Sequence, residues 1–153
     1  MFKPGFTLTE LVIIMGILLS LFALTTGASF STIAQSQSGT TAQTIIADLR
    51  ATQTKAMTGT TPSTTPVAGW GIYFEADRYT IFAGTTYLPG APSNTVVTLP
   101  TNVTITASPT TIVFEHISGH LSSPTPAPTL VVSSGGTSRT ITLNSLGVPN
   151  VTP

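Results

Sequence analysis

Few side chains in this chain could carry chemistry, and the first of them is Glu10. No other ionisable side chain lies between Lys3 and Asp48, and Glu10 stands at the edge of an apolar run, Leu11 to Leu24, in which nothing is charged. An acid deep in a membrane helix costs roughly 2.5–3.5 kcal/mol on insertion scales, and less near its end. A chain keeps such a group when something neutralises it, or when the segment has a second life outside lipid. The other candidates are weaker. His116 and His120 are four apart with Glu115 adjacent, a spacing that on a helix could hold zinc. Here Ser118-Gly119 lies between them after an apparent strand, so no helix presents both rings on one face. Exposed turn histidines are the expectation, with no metal. No Gly-x-Ser-x-Gly, P-loop or dinucleotide fingerprint is present, and the five acids are too scattered for a catalytic pair. The sequence therefore points away from an enzyme and implies no cofactor. Asn102-Val103-Thr104 and Asn150-Val151-Thr152 match the glycan acceptor pattern, a match that a Thr-rich chain makes by chance.

Composition narrows the class. Charged residues are 7% of the chain and its formal net charge is zero, whereas about 25% is usual for a soluble domain. Lys3, Arg50, Lys55, Arg78 and Arg139 are scattered, so there is no basic patch for nucleic acid. About one residue in five is Thr, and the chain has 13 Gly and 12 Pro. That mixture suits strands and turns. Without cysteine, no disulfide can staple the fold.

The elements that must position Glu10 begin with the N-terminal apolar segment. Phe6 to Leu24 would make about 28 Å of helix, close to a hydrocarbon core of about 30 Å. Three readings compete: a cleaved secretory signal with Thr26-Gly27-Ala28 as its small-residue site, a plain single-pass anchor, or a processed anchor that later packs in a helical filament. Glu10 favours the third. A signal peptide has no need of an acid there, and a plain anchor is weakened by one. Removing a short leader, by contrast, exposes a new ammonium close to the acid. Lys3 precedes the span and no Lys or Arg follows until Arg50, which favours a cytoplasmic N-terminus.

Apolar spacing continues through Ile33, Ala34, Ala42, Ile45, Ile46, Leu49, Ala56 and Met57 at helical intervals. The expectation is one helix over 6–57, with the transmembrane part at 6–24, stopping at Thr58-Gly59 before Pro62. Ile45, Ile46 and Leu49 should cover a domain. Gly27 and Gly39 mark candidate kinks, because a Gly costs about 1 kcal/mol in a helix interior. After a Thr/Pro linker at 58–66 the pattern turns to period two. Strands are predicted at Val67–Glu75, Arg78–Ala83, Thr95–Leu99, Val103–Ala107, Thr111–Ile117, Thr129–Ser133 and Ser138–Leu143, with a hairpin turn at Glu75-Ala76-Asp77-Arg78. Trp70, Phe74, Phe82 and Phe114 are the predicted core anchors. The fold class is α+β: a long N-terminal helix packed on a β-rich domain, 67–153.

Lys3-Pro4-Gly5-Phe6-Thr7-Leu8-Thr9-Glu10 closely resembles the processing site of type IV prepilins and type II secretion pseudopilins. The resemblance implies that 1–5 is a leader, that a membrane prepilin peptidase cuts between Gly5 and Phe6, and that Phe6 becomes the N-methylated terminus. It also implies that Glu10 pairs with the N-terminal ammonium of a neighbouring subunit. Pro4 between Lys3 and Gly5, and Thr9 where a bulky apolar residue is commoner, are departures that remove no group the chemistry requires. Gly5 lacks a Cβ, which lets a peptidase close on the backbone.

Gly69-Trp70-Gly71-Ile72-Tyr73-Phe74, then Ile112-Val113-Phe114 with Gly119, then Arg139-Thr140-Ile141-Thr142-Leu143-Asn144 with Gly147-Val148 are similar to the GspH/FimT group of minor pseudopilins and pilins. The resemblance implies a structural subunit of a type II secretion system or type IV pilus. Its partners would be other pilin subunits, the prepilin peptidase, an inner-membrane assembly platform and the membrane. Such a subunit would sit in the cytoplasmic membrane with its leader inside, then move to a periplasmic or cell-surface filament. The alternatives are a major pilin and a DNA-uptake minor pilin. The dispersed basic residues argue against the second, since phosphate contacts dominate such affinity.

Overall fold

The computed structural model describes residues 7–62 and 66–152, without the side chains of 24–35. Two compact units divide the chain, Met1–Ile33 and Ala34–Pro153. The division falls inside the helix rather than at the Thr/Pro linker. Helix α1 spans Leu8–Thr58, 51 residues. It continues through Gly16, Gly27 and Gly39.

Both helix ends have chemical causes. At the start, the Glu10 N–H donates to Thr7 Oγ1 at 3.3 Å and the Leu11 N–H to the Thr7 carbonyl at 3.2 Å. Thr7 is thus the N-cap. At the other end the Thr60 N–H returns to the Lys55 carbonyl at 3.1 Å and the Gly59 N–H to Ala56 at 3.4 Å, with Gly59 at φ 66°. That pair of bonds is a Schellman closure. The threonines inside the helix are satisfied locally. The hydroxyls of Thr44, Thr52, Thr54 and Thr58 each donate to the carbonyl four residues back, so a Thr-rich stretch remains helical.

Eight strands follow: β1 Gly69–Phe74, β2 Arg78–Ala83, β3 Thr95–Thr98, β4 Val103–Ser108, β5 Thr111–Glu115, β6 Thr129–Ser134, β7 Thr137–Leu143 and β8 Pro149–Thr152. They form two four-stranded sheets, β3-β2-β1-β5 and β4-β6-β7-β8, with every pairing antiparallel. The α+β class is the expected one. The Glu75–Arg78 turn closes with Glu75 N–H to the Arg78 carbonyl at 2.9 Å. Gly135-Gly136 joins β6 to β7, with Ser134 paired to Thr137. Strand β8 lies outside the predicted set.

One core joins the helix to both sheets in the Ala34–Pro153 unit. Ala42, Ile45, Ile46, Leu49 and Ala56 from α1 meet Trp70, Ile72, Phe74, Tyr79 and Ile81 from the first sheet. Val103, Ile105, Leu130, Val132, Ile141 and Leu143 come from the second. Period two decides which residues enter. Tyr79 and Ile81 point inward, so Thr80 and Phe82 point to the opposite face of their sheet. Phe82 is buried there, apart from the main core, against Tyr87 at 5.6 Å between ring centroids. Its expected role as a core anchor is therefore corrected in place: it anchors a second, smaller aromatic cluster.

Candidate functional site

Gly5 and Phe6, the expected cleavage and methylation residues, lie outside the described residues. Glu10 is described. It occupies the third position of α1, in the first turn, where the partial positive charge of the helix start favours an acid. Its side chain is exposed, and among the described residues it makes no ion pair. The Thr7-x-x-Glu10 spacing is that of a capping box, a local signature that accompanies the charge.

From Leu11 to Ala23 the helix surface is apolar apart from Ser20, whose hydroxyl donates to the Ile17 carbonyl at 2.8 Å. All side chains from Thr7 to Ala23 are exposed, including Leu19 at 69% and Phe22 at 70%. Met15, Leu18, Leu19 and Phe22 form a continuous stripe at helical spacing. Exposed apolar surface on this scale marks an interaction site in lipid or protein. Among the described residues no helix is long and apolar enough to cross a membrane. The expected span, 6–24, ends on residues whose side chains lie outside the description.

The far end of α1 is clamped by polar and close-packed contacts. Gln53 Nε2 donates to the carbonyls of Gly119 at 2.9 Å and Leu146 at 2.7 Å. One amide thus ties the helix to two loops. Gly119, at φ 66°, leaves no space for a side chain: a Cβ there would sit 2.5 Å from Met57 Cγ. The Ile117 N–H donates to the Ala56 carbonyl at 3.1 Å. Trp70 Nε1 donates to the Thr60 carbonyl at 2.8 Å, and Lys55 Nζ stands 4.9 Å from the centre of the Trp70 ring. Tyr79 Oη donates to Asp48 Oδ2 at 2.6 Å. Burial and that bond push the Tyr79 hydroxyl well above the usual phenol range. Nothing in the sequence marks Gln53, and Asp48, Arg50 and Lys55, lying off the apolar stripe, read as a solvated face; Asp48 instead accepts from Tyr79 and Lys55 lies on Trp70, because a lone polar residue on a helix gives no periodic signal of its distant partner.

The histidines do not converge on a metal site. Against the expectation of two exposed histidines, His116 is half-buried against Gly59, its Nδ1 buried without a hydrogen-bond partner among the described residues, while His120 is exposed in the turn. Among the described residues no group of three His, Asp or Glu is placed to hold a metal. Basic residues stay dispersed: Lys55 on Trp70, Arg78 paired with Glu75 at 2.8 Å, and Arg139 beside Gly39. The Arg78 hydrogen bond holds the Glu75 carboxyl below its usual range.

The family model of the type II transport protein GspH matches residues 41–147. Two crystal forms of the type IV minor pilin FimU from Pseudomonas aeruginosa share the fold. One aligns with a TM-score of 0.57 at 16% identity, covering 75% of this chain and 92% of FimU. The other aligns at 0.58 and 14%, covering 78% and 90%. At such identity the likeness is one of fold. No curated protein sequence matches the chain.

Proposed function

The chain belongs to the GspH family of type II transport proteins, and from that premise we propose that it is a minor pilin-like subunit of a helical filament, in a type II secretion system or a type IV pilus. The observation that carries this reading is the start of α1. Residues 7–23 are exposed around the whole helix, and Glu10 is the sole ionisable group among them. Such a surface needs an apolar environment, first lipid and then the helices of neighbouring subunits.

In this reading a prepilin peptidase cuts between Gly5 and Phe6, and Phe6 becomes the methylated terminus. The segment 6–24 anchors the subunit in the cytoplasmic membrane, with the Ala34–Pro153 unit facing away from the cytoplasm. An assembly platform then delivers it to the filament. There the new ammonium of one subunit meets Glu10 of another. An unpaired buried charge is strongly disfavoured and a pair much less so, so pairing sets how far an incoming subunit rises. The Thr7 cap supports this geometry by holding Glu10 in the first helical turn. Moving between lipid and other helices preserves apolar burial, so extraction need not expose the stripe to water.

Intact mass and N-terminal sequencing of protein from membranes and from sheared surface material test the proposal. The expected result is a chain beginning at methylated Phe6 in both fractions, at low copy number in the sheared one. A chain beginning at Met1 in both would overturn it, and high copy in the filament would make the chain a major subunit.

A further inference from the structure

The geometry points to a second, separate site on the Ala34–Pro153 unit: a saccharide-binding surface on the outer face of the β3-β2-β1-β5 sheet, which would take a neutral glycan. This inference does not depend on the filament role.

The outer face is built around tyrosines. Tyr73 on β1 stacks on Tyr87, with centroids 4.3 Å apart and planes 11° from parallel. Tyr87 also leans on Phe82. Gly71 makes the arrangement possible, because a Cβ there would lie 2.4 Å from Phe82 Cζ. The bare strand gives the Phe82 ring its place, and Tyr87 lies against it. Both tyrosines remain half-exposed.

One cavity is lined by this stack, and a second is lined by residues of β5 and the loops near it. The first, of about 360 Å³, is lined by Tyr73, Tyr87, Thr80, Glu75 and Arg78 among others. The second, of about 230 Å³, carries the hydroxyls of Thr85, Thr111, Ser122 and Ser123. Thr111 stands opposite Tyr73 in the β1–β5 register, and Thr85 is two residues from Tyr87. The larger cavity falls within the usual size of small-ligand sites, roughly 300–1,000 Å³.

The lining selects the ligand. Glu75 and Arg78 pair at 2.8 Å and offset each other in the lining, and the exposed Asp77 at the rim, 3.9 Å from Arg78, adds an acid, so an anion is not favoured. Together they offer donors and acceptors side by side, and the neighbouring hydroxyls offer both as well. Aromatic rings supply a flat apolar wall with polar tips. A ligand that is neutral, rich in hydroxyls and apolar on one face matches that lining, and a sugar ring has these properties. The only ion pairs among the described residues, Arg78 with Glu75 and Asp77, stand at this rim, in a chain with 7% charged residues.

Two glycan chemistries could present such rings: glucose-based chains and N-acetylglucosamine-based chains. The full chain in a non-glycosidic detergent is titrated by calorimetry with maltotriose, cellotriose and tri-N-acetylchitotriose, with saturation-transfer NMR on each sugar. At least one is expected to bind at millimolar or better affinity, and the preferred sugar identifies the chemistry. Tyr87→Ala should weaken that binding by about tenfold or more. Because Tyr87→Ala could also loosen Phe82, Glu75→Gln is the second variant. It should retain the thermal midpoint and weaken binding severalfold. Failure of all three sugars to bind, or binding unchanged in both variants, overturns the site.

Discussion

Replacing Glu10 by Gln separates the charge in the first helical turn from the proposed pairing with a neighbouring ammonium. The shape of the side chain is kept and the Thr7 hydroxyl still accepts from the backbone N–H of residue 10, because that 3.3 Å bond does not involve the carboxylate. The isolated helix loses only a charge in its first turn, worth about 0.3–1 kcal/mol at an exposed site. At tenfold per 1.4 kcal/mol, that is at most about a fivefold effect. The filament loses far more. A neighbouring ammonium left without its partner in an apolar bundle costs about 3–5 kcal/mol, or roughly a hundredfold or more in incorporation. The comparison variant is Thr7→Ala, which removes the cap at a cost of about 0.5–2 kcal/mol and leaves the charge. Quantitative immunoblotting of sheared and membrane fractions reads incorporation, and N-terminal sequencing of the membrane fraction confirms that cleavage still occurs. Glu10→Gln should be depleted from sheared material by about two orders of magnitude or more, while Thr7→Ala is reduced by about two- to thirtyfold. Incorporation of Glu10→Gln within about fivefold of normal would reduce the carboxylate to a helix-end residue and refute the pairing argument.

Other expectations concern processing and the clamp at the far end of the helix. Gly5→Val should block cleavage, seen as accumulation of full-length precursor in membranes; normal appearance of the shorter product would remove Gly5 from the cleavage site. Gly119→Ala, forced to a positive φ and into Met57, should cost about 2–5 kcal/mol in equilibrium unfolding. Gly136→Ala, with φ +84° and nothing within 4 Å, should cost only about 1–2 kcal/mol; equal losses would show that Met57 yields freely. Gln53→Ala deletes both bonds to Gly119 and Leu146 and should cost about 1–3 kcal/mol. Hydrogen exchange should accelerate in both loops, and unaltered protection would contradict the clamp. The Tyr79 hydroxyl titrates above its unfolded value of about 10, so the protonated form belongs to the fold. Its contribution is fully present below about pH 10 and is lost as pH rises toward the folded value. Unfolding free energy should fall above about pH 10, and Tyr79→Phe should flatten that fall.

How much of this was legible in the sequence depended on whether the signal was local. The stop at Thr58-Gly59 is local chemistry, and Gly59 closes the helix there. The Glu75–Arg78 turn and Gly135-Gly136 are also short-range. Period two marked β1, β2 and β5 well, yet it does not say which face a residue serves. Phe82 looks like any other strand aromatic until the register places it opposite Gly71. The partition into two sheets follows from non-local pairings, β1 with β5 and β4 with β6, that no window of sequence contains. Strand β8 was missed because Pro149 and Asn150 are poor strand formers; pairing with β7 supplies what they lack. At the candidate site, the acid, the apolar run and the Thr7-x-x-Glu10 spacing of the cap are local and legible, but the Gln53 clamp is not. Tyr87 gave no signal either, since it sits in the β2–β3 connection without periodicity.

The single tryptophan of the chain has an unforeseen use. Its indole holds the Thr60 carbonyl just past the helix end and lies beneath the Lys55 ammonium, so its emission colour and quenching depend on that docking. Loosening of the junction would shift the fluorescence without any dye attached, giving an intrinsic optical gauge of whether that end of the helix stays docked.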